Sequence, residues 1–319
     1  VDEPVLEDDE EDDDPDEEKV PENPLTEEVL GESLSLLCKT GNGLAHAYVR
    51  LDIHDRDITD INILNCFIHL RYLDISGNRL KDISSLSSLT HLLTLKADKN
   101  QLTSAQLEKL PYLQIANFAN NKIVDTKGIE HPLLESLNLS FNNIYEVTDL
   151  DPSALSRLTT LELRNNRLIT TNGIGVLPNL QKLYLAANSL KFLENLDRMQ
   201  HLVSIHLRDN QLEKLDGFSA NMKLLQYLNL RGNNISDVKE VEKLKCLPLL
   251  RALVLMENPV ADDDDYRIEV LITLRRLERL DKDEYTEDER QEAEEIHEQR
   301  RQEAALANNT MEVIADDDD

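Results

Sequence analysis

The sequence predicts an α/β solenoid of about ten stacked 22-residue units, on three observations. A leucine template returns along about 210 residues, and an asparagine recurs inside it at near-constant spacing. Trp is absent and aromatics make up 4% of the chain, which suits many small identical layers better than one aromatic-centred core.

The template is LxxLxLxxNxL, with Ile or Val admitted at the last position. Its clearest copies are LRYLDISGNRL (70–80), LESLNLSFNNI (134–144), LTTLELRNNRL (158–168), LQKLYLAANSL (180–190) and LQYLNLRGNNI (225–235). Weaker copies supply the rest, so that Asn falls at 78, 100, 121, 142, 166, 188, 210, 233 and 258. A degenerate first copy, VRLDIHDRDI, puts Arg56 at the Asn position and brings the total to ten. In the LxL core alternate side chains point inward, as a strand demands, and the others face a shared parallel sheet. The Asn side chain is suited to bond buried backbone groups of the turn that follows. A unit of this length leaves room for a strand and a short 3₁₀ or irregular return, not for a long helix. The pattern therefore predicts a leucine-rich-repeat solenoid with a parallel concave sheet and a short, irregular convex side.

The ends need covers, and the flanking segments divide accordingly. Residues 1–24 read as an acidic disordered tail and 25–46 as an N-terminal capping helix, with Val29, Leu30, Leu34, Leu36 and Leu37 as its apolar stripe. Repeats fill 47–261. A C-terminal cap follows over 262–285, built from a short helix and a final Leu280-Asp281 segment. Residues 286–319 predict a charged helix with almost no apolar face, solvated or partner-bound, ending in an acidic run.

Net charge is −29, but its distribution decides what it means. Residues 1–28 carry 16 Asp or Glu against one Lys, and 283–319 carry 15 against three Arg, so the repeat body is near neutral. Such a surface argues against nucleic acid and anionic membrane as partners. Three cysteines at long spacing, Cys38, Cys66 and Cys246, fit a reducing compartment. No apolar run of membrane length and no secretory leader is visible, so a cytoplasmic site is expected.

No catalytic, cofactor or metal motif stands out. Gly41-Asn42-Gly43 lacks the third glycine of a dinucleotide fingerprint and reads as a turn. His69, His91 and His201 all sit just before the first Leu of a unit, which marks a repeat-surface preference rather than a metal or acid-base set. Asp262 to Asp265 lack the Gly and Glu of a calcium loop and read as a solvated cap loop. Catalytic, cofactor and metal residues are accordingly expected to be none.

Binding remains. The outward strand positions form columns along the concave face, and their C-terminal half gathers Arg164, Tyr184, His206, Arg208, Tyr227, Asn229, Arg231 and Met256. Tyr and Arg are enriched at protein-binding hot spots, so this strip is the candidate contact patch.

The repeat is similar to the 22-residue class found in a phosphatase-1 regulator, axonemal dynein light chain 1 and the acidic nuclear phosphoprotein 32 family; Tyr266-Arg267 and Leu280-Asp281 resemble that class's cap. A more specific likeness lies in LSLLCKTGNGLAHAYVRLDI (34–53), HLRYLDIS (69–76), THLLTLKAD (90–98), LPYLQIANFANN (110–121) and YLNLRGNNI (227–235). Across about 24–285 these segments resemble the radial-spoke leucine-rich-repeat proteins of motile cilia and sperm flagella. That resemblance implies a structural part of the third spoke's head region, within a large hetero-complex of the axoneme, contacting other spoke-head proteins. The acidic tails suggest a different expectation, a chaperone or inhibitor of basic proteins such as histones; a phosphatase-1 regulator is the third.

Overall fold

A computed structural model describes residues 21–41 and 43–316, with side chains placed through 306. Its strands form one 13-stranded sheet in chain order. They are β1 Leu34–Lys39, β2 His46–Asp52, β3 Tyr72–Asp74, β4 Thr94–Lys96, β5 Ile115–Asn117, β6 Ser136–Asn138, β7 Thr160–Glu162, β8 Lys182–Tyr184, β9 Ser204–His206, β10 Tyr227–Asn229, β11 Ala252–Val254, β12 Arg279–Leu280 and β13 Asp283–Glu284. From β2 to β12 every pairing is parallel, and the two end pairings are antiparallel. Register follows the template: Leu73 lies beside Leu51 and Leu95, and Leu183 beside Leu161 and Ile205. The inward Leu and Ile of every unit join one continuous core. Return segments are short, 3₁₀ where regular (Asn62–Cys66, Ser84–Ser88, Leu196–Arg198, Val238–Cys246) and irregular elsewhere. The chain is an α/β leucine-rich-repeat solenoid.

The repeated Asn is what lets such tight layers stack. Asn188 Nδ2 donates to Leu185 O of its own layer (3.1 Å) and Leu163 O of the layer before (2.9 Å), while its Oδ1 accepts from Leu168 N (3.1 Å). The same pattern runs from Asn78 to Asn258, and all nine are buried. Each amide therefore satisfies backbone groups that the turn hides from water.

Arg56 stands at the first Asn place, and the turn around it is held from outside the repeats. Asn23 Nδ2 donates to Arg56 O (3.1 Å) and Asp57 O (3.3 Å), Thr59 N donates to Asn23 O, and Pro24 pairs in parallel with Asp60. Asn23 and Pro24 are thus fixed against the first layer rather than belonging to a disordered tail. Residues 1–20 lie outside the described residues.

The N-terminal cap is shorter than its apolar spacing suggests. Helix α1 spans Glu27–Ser33, with the Thr26 hydroxyl accepting from Val29 N, and it buries Leu30. The expected helix does not continue: Leu34–Lys39 is β1, an antiparallel strand on β2. Leu36 and Leu37, assigned to the helix's inner stripe, are exposed. The free edge of β2 decides this, because its unpaired backbone groups are satisfied by a strand and not by a helix.

At the other end helix α2 (Tyr266–Thr273) and the β12–β13 hairpin close the core. Asp281 replaces the Asn there: its Oδ1 accepts from Leu255 N (2.7 Å) and Met256 N (2.9 Å), and its Oδ2 from the Tyr266 hydroxyl (2.8 Å). Burial against this carboxylate raises the Tyr266 phenol far above its ordinary range. Removing these three bonds in Asp281→Ala is expected to cost about 2 kcal/mol, read as a lower urea midpoint, whereas an unchanged midpoint would refute the capping role.

Helix α3 (Glu287–Asp316) starts with a capping box, Thr286 and Glu289 exchanging bonds. Its first half is not simply solvated. Ala293 is buried, Ile296 packs on the core, Arg267–Glu289 and Arg300–Glu269 pairs tie it to α2, and an Arg275–Glu294 pair ties it to the loop after α2. The Arg267 guanidinium pulls the Glu289 carboxyl down to about 2. Sequence periodicity showed too small an apolar face because two small contacts and three ion pairs replace one.

Candidate protein-binding face

Each short strand sends its middle residue into the core and its first and third outward, so outward residues of successive units lie one strand apart, ~4.8 Å. Tyr184, His206 and Asn229 are third residues of β8, β9 and β10, and Tyr227 is the first of β10. Arg164, Arg208, Arg231 and Met256 follow two places beyond their strands' third residues, on the same face. All eight predicted residues therefore fall on the open face of β7–β11, and all are at least partly exposed.

The structure joins four of them into one stack. Arg164 lies over the Tyr184 ring at 4.4 Å, Tyr184 stacks on His206 at 4.6 Å, and His206 meets Tyr227 at 5.0 Å. Burial between the two tyrosines, with Arg164 nearby, holds the His206 imidazole below its ordinary pKa, so it is neutral near pH 7 and stacks without a charge penalty. Asn229 Nδ2 donates to the Tyr227 hydroxyl (3.2 Å), and its Oδ1 accepts from Arg231 N (3.1 Å). Stacked aromatic rings held in place like this present contact area with little rotamer entropy left to lose on binding.

The arginines are a different matter, because each already has an acid. Arg164 meets Glu162 at 3.2 Å, Arg208 Nε meets Asp209 Oδ2 at 2.8 Å, and Arg231 grips Glu257 with two nitrogens. The face is thus charge-balanced rather than cationic. Asp209 and Glu257 occupy the place just before the repeat Asn with left-handed φ of 55° and 60°, outside the columns that sequence reading followed. Further along the same face toward the N-terminus the character turns acidic, with Asp52, Asp74 and Asp98 countered by Lys96 on Asp74 (3.1 Å) and by His54 on Asp52.

The repeat-surface histidines lie on another flank and serve the layers. His91 Nδ1 contacts Ile68 O and His201 Nδ1 contacts Pro178 O, each at 3.0 Å and one layer back. His69, His91 and Tyr112 form a loose ring row.

These features define a leucine-rich-repeat protein whose ordered surface suits it as a protein-interaction scaffold. Family models described as leucine-rich repeat match residues 185–310, 69–92 and 133–158. The chain belongs to the leucine-rich repeat-containing protein 23 family. It is 57% identical to the Bos taurus member over 86% of this chain and 80% of that one, and 58% identical to the Mus musculus member over 90% and 84%. A Xenopus tropicalis member is 53% identical over 89% and 81%. Among solved structures, a leucine-rich-repeat protein of Leptospira interrogans aligns with TM-score 0.62 at 28% identity, covering 72% of this chain and 60% of that one. The functional domain of InlJ from Listeria monocytogenes shares the fold, with TM-score 0.57 at 22% identity over 73% and 53%.

Proposed function

We propose that this protein is a non-catalytic scaffold of the axoneme of motile cilia and flagella, a structural part of the radial spoke in the head region of the third spoke. It sits in the cytoskeleton within a large hetero-complex and docks neighbouring spoke-head proteins on the open sheet face, with no nucleic acid or membrane as partner. Family membership supports the setting, through the resemblance that spans the repeats and the hairpin at 34–53. The observation that carries the docking reading is the half-buried Arg164–Tyr184–His206–Tyr227 stack on the open sheet face. It offers a rigid aromatic anchor in a charge-balanced setting, which is how binding hot spots are built.

The test replaces Arg208 and Arg231 by Glu. Each change sets a second acid beside Asp209 or Glu257 and leaves the core alone, and exposed ion pairs contribute only about 0–1 kcal/mol. Binding to purified spoke-head proteins should weaken at least ~10-fold, about 1.4 kcal/mol, at unchanged melting temperature. Equal affinity in a titration would sink the docking reading.

The acidic ends favour one other reading, binding of basic proteins such as histones. That activity would fall steeply with salt and vanish on removal of the tails, since exposed charges are screened over ~8–10 Å at physiological salt. An axonemal scaffold keeps most of its affinity in the repeats.

A further inference from the structure

The N-terminal end of the sheet face carries a surface that the aromatic stack does not reach. Leu37 of β1 and Tyr48 of β2 are register partners in the antiparallel hairpin, so their side chains stand side by side on one face. Arg50, two places on from Tyr48, shares that face and lies beside Tyr72 of β3, whose row continues through Thr94 to Ile115 of β5. The four apolar members are open to water, Leu37 by 58%, Tyr48 by 47%, Tyr72 by 40% and Ile115 by 46%. Beyond β5 the same row turns polar, with Ser136, Thr160, Lys182 and Ser204. The apolar patch is therefore bounded, running from β1 to β5 over ~19 Å.

Two arginines lie in this patch, and their state differs from that of Arg164, Arg208 and Arg231. Arg50 and Arg71 are exposed and have no acidic side chain within ion-pair distance among the described residues. The acids next along their strands are already engaged: Asp52 by His54, and Asp74 by the Ser76 hydroxyl (2.5 Å) and Lys96 (3.1 Å). Arg50, Tyr72, Thr94 and the Asp74–Lys96 pair line a hollow of about 80 Å³, enough for a carboxylate.

A guanidinium is a planar fork matched to a carboxylate, and large apolar groups beside unpaired guanidinium groups mark an interaction surface. The charge selects an acidic occupant over a basic one. A net charge of −29 opposes an anionic membrane or nucleic acid, whereas a short segment brings only a few carboxylates to the arginines. In extended form, about six residues cover the ~19 Å from Leu37 to Ile115.

We propose that this end of the sheet face takes an acidic segment of a partner protein, its carboxylates on Arg50 and Arg71 and its apolar side chains over Leu37–Tyr48 and Ile115. The assignment rests on the reading of the sheet face as a docking surface, but on none of the residues of the Arg164–Tyr227 stack.

A displayed library of random peptides of ~12 residues, about twice the length the patch spans, panned against the full chain tests this. The expected result is enrichment of sequences that set Asp or Glu among Leu, Ile or aromatic residues. A fluorescein-labelled synthetic copy of the enriched peptide should lose at least ~10-fold in affinity with Arg50→Glu and Arg71→Glu together, and keep its affinity with Arg208→Glu and Arg231→Glu together. Melting temperature should hold in both double variants, because these side chains lie outside the core. Enrichment of basic or uncharged peptides, no enrichment, or acidic peptides that bind the Arg50 and Arg71 variant equally well overturn the assignment. Self-association of the wild type in sedimentation equilibrium, abolished by the same two changes, overturns it too, giving the patch to a second copy. The two double variants carry separate readouts, so the stack can fail as a docking site while this patch stands, and the reverse.

Discussion

Asn188→Ala is expected to lower stability by about 3 kcal/mol, although it removes a single amide from the middle of a long stack. The amide serves three buried groups at once, Leu185 O, Leu163 O and Leu168 N, and two of them belong to the preceding layer. Alanine fills none of those roles, and the space is lined by leucine, so water enters poorly and each group carries most of its desolvation cost. Asn188→Asp is expected to be at least as damaging. It keeps the acceptor toward Leu168 N but turns oxygen lone pairs toward two carbonyl oxygens that now lack a donor. Because repeat stability is nearly a sum of layer and interface terms, the loss should also weaken coupling between the halves on either side, and urea unfolding should broaden or split. A cooperative transition at the wild-type midpoint for either variant would remove the Asn ladder as the reason for the spacing.

What the sequence disclosed and what it withheld follow the same physics. The strand, the inward leucines and the ladder were legible because each is dictated locally and repeated: one unit's Leu73, Ile75 and Asn78 have the same surroundings as the next unit's. The outward face was legible for the same reason, since a period of two assigns Tyr184 and His206 to one side. Features that depend on a particular neighbour were not. Leu34 to Lys39 spaced its leucines as a helix does, and only the unpaired edge of β2 makes it a strand. The acids that neutralise Arg208 and Arg231 come from turn positions whose left-handed backbone turns them back on the face. Asn23 carries no repeat signature, yet its amide holds the chain to the Arg56–Asp57 turn of the one layer where the ladder lacks its Asn.

His131 was missed for another reason: it occupies a place where most units have Leu or Met, such as Leu110, Leu155, Leu177 and Met199, so a template search sees only a mismatch. It is 1% exposed, its Nδ1 accepts from Leu110 N at 3.2 Å, and its Nε2 is buried without a partner. Leu110 needs that acceptor because its own unit lacks the 3₁₀ turn that supplies one to Leu89 or Met199. Burial drives the imidazole from 6.5 down to about 4, and protonation would place a second N–H against the Leu110 donor. The unfolded chain therefore binds the proton more readily than the folded one, so this contribution to stability is complete above pH 6.5 and is lost as pH falls toward 4. At ~1.4 kcal/mol per unit, the loss approaches about 3 kcal/mol across that window. His131→Gln, which keeps an acceptor for Leu110 N but does not titrate, should match the wild type within ~1 kcal/mol at pH 7.5 and exceed it by ~2 kcal/mol at pH 4.5 in urea unfolding. The difference between the two curves isolates this one ring from the many carboxylates that titrate in both proteins. Parallel curves would mean that the cavity around His131 admits water and that the ring is not the acid-sensitive point of the stack.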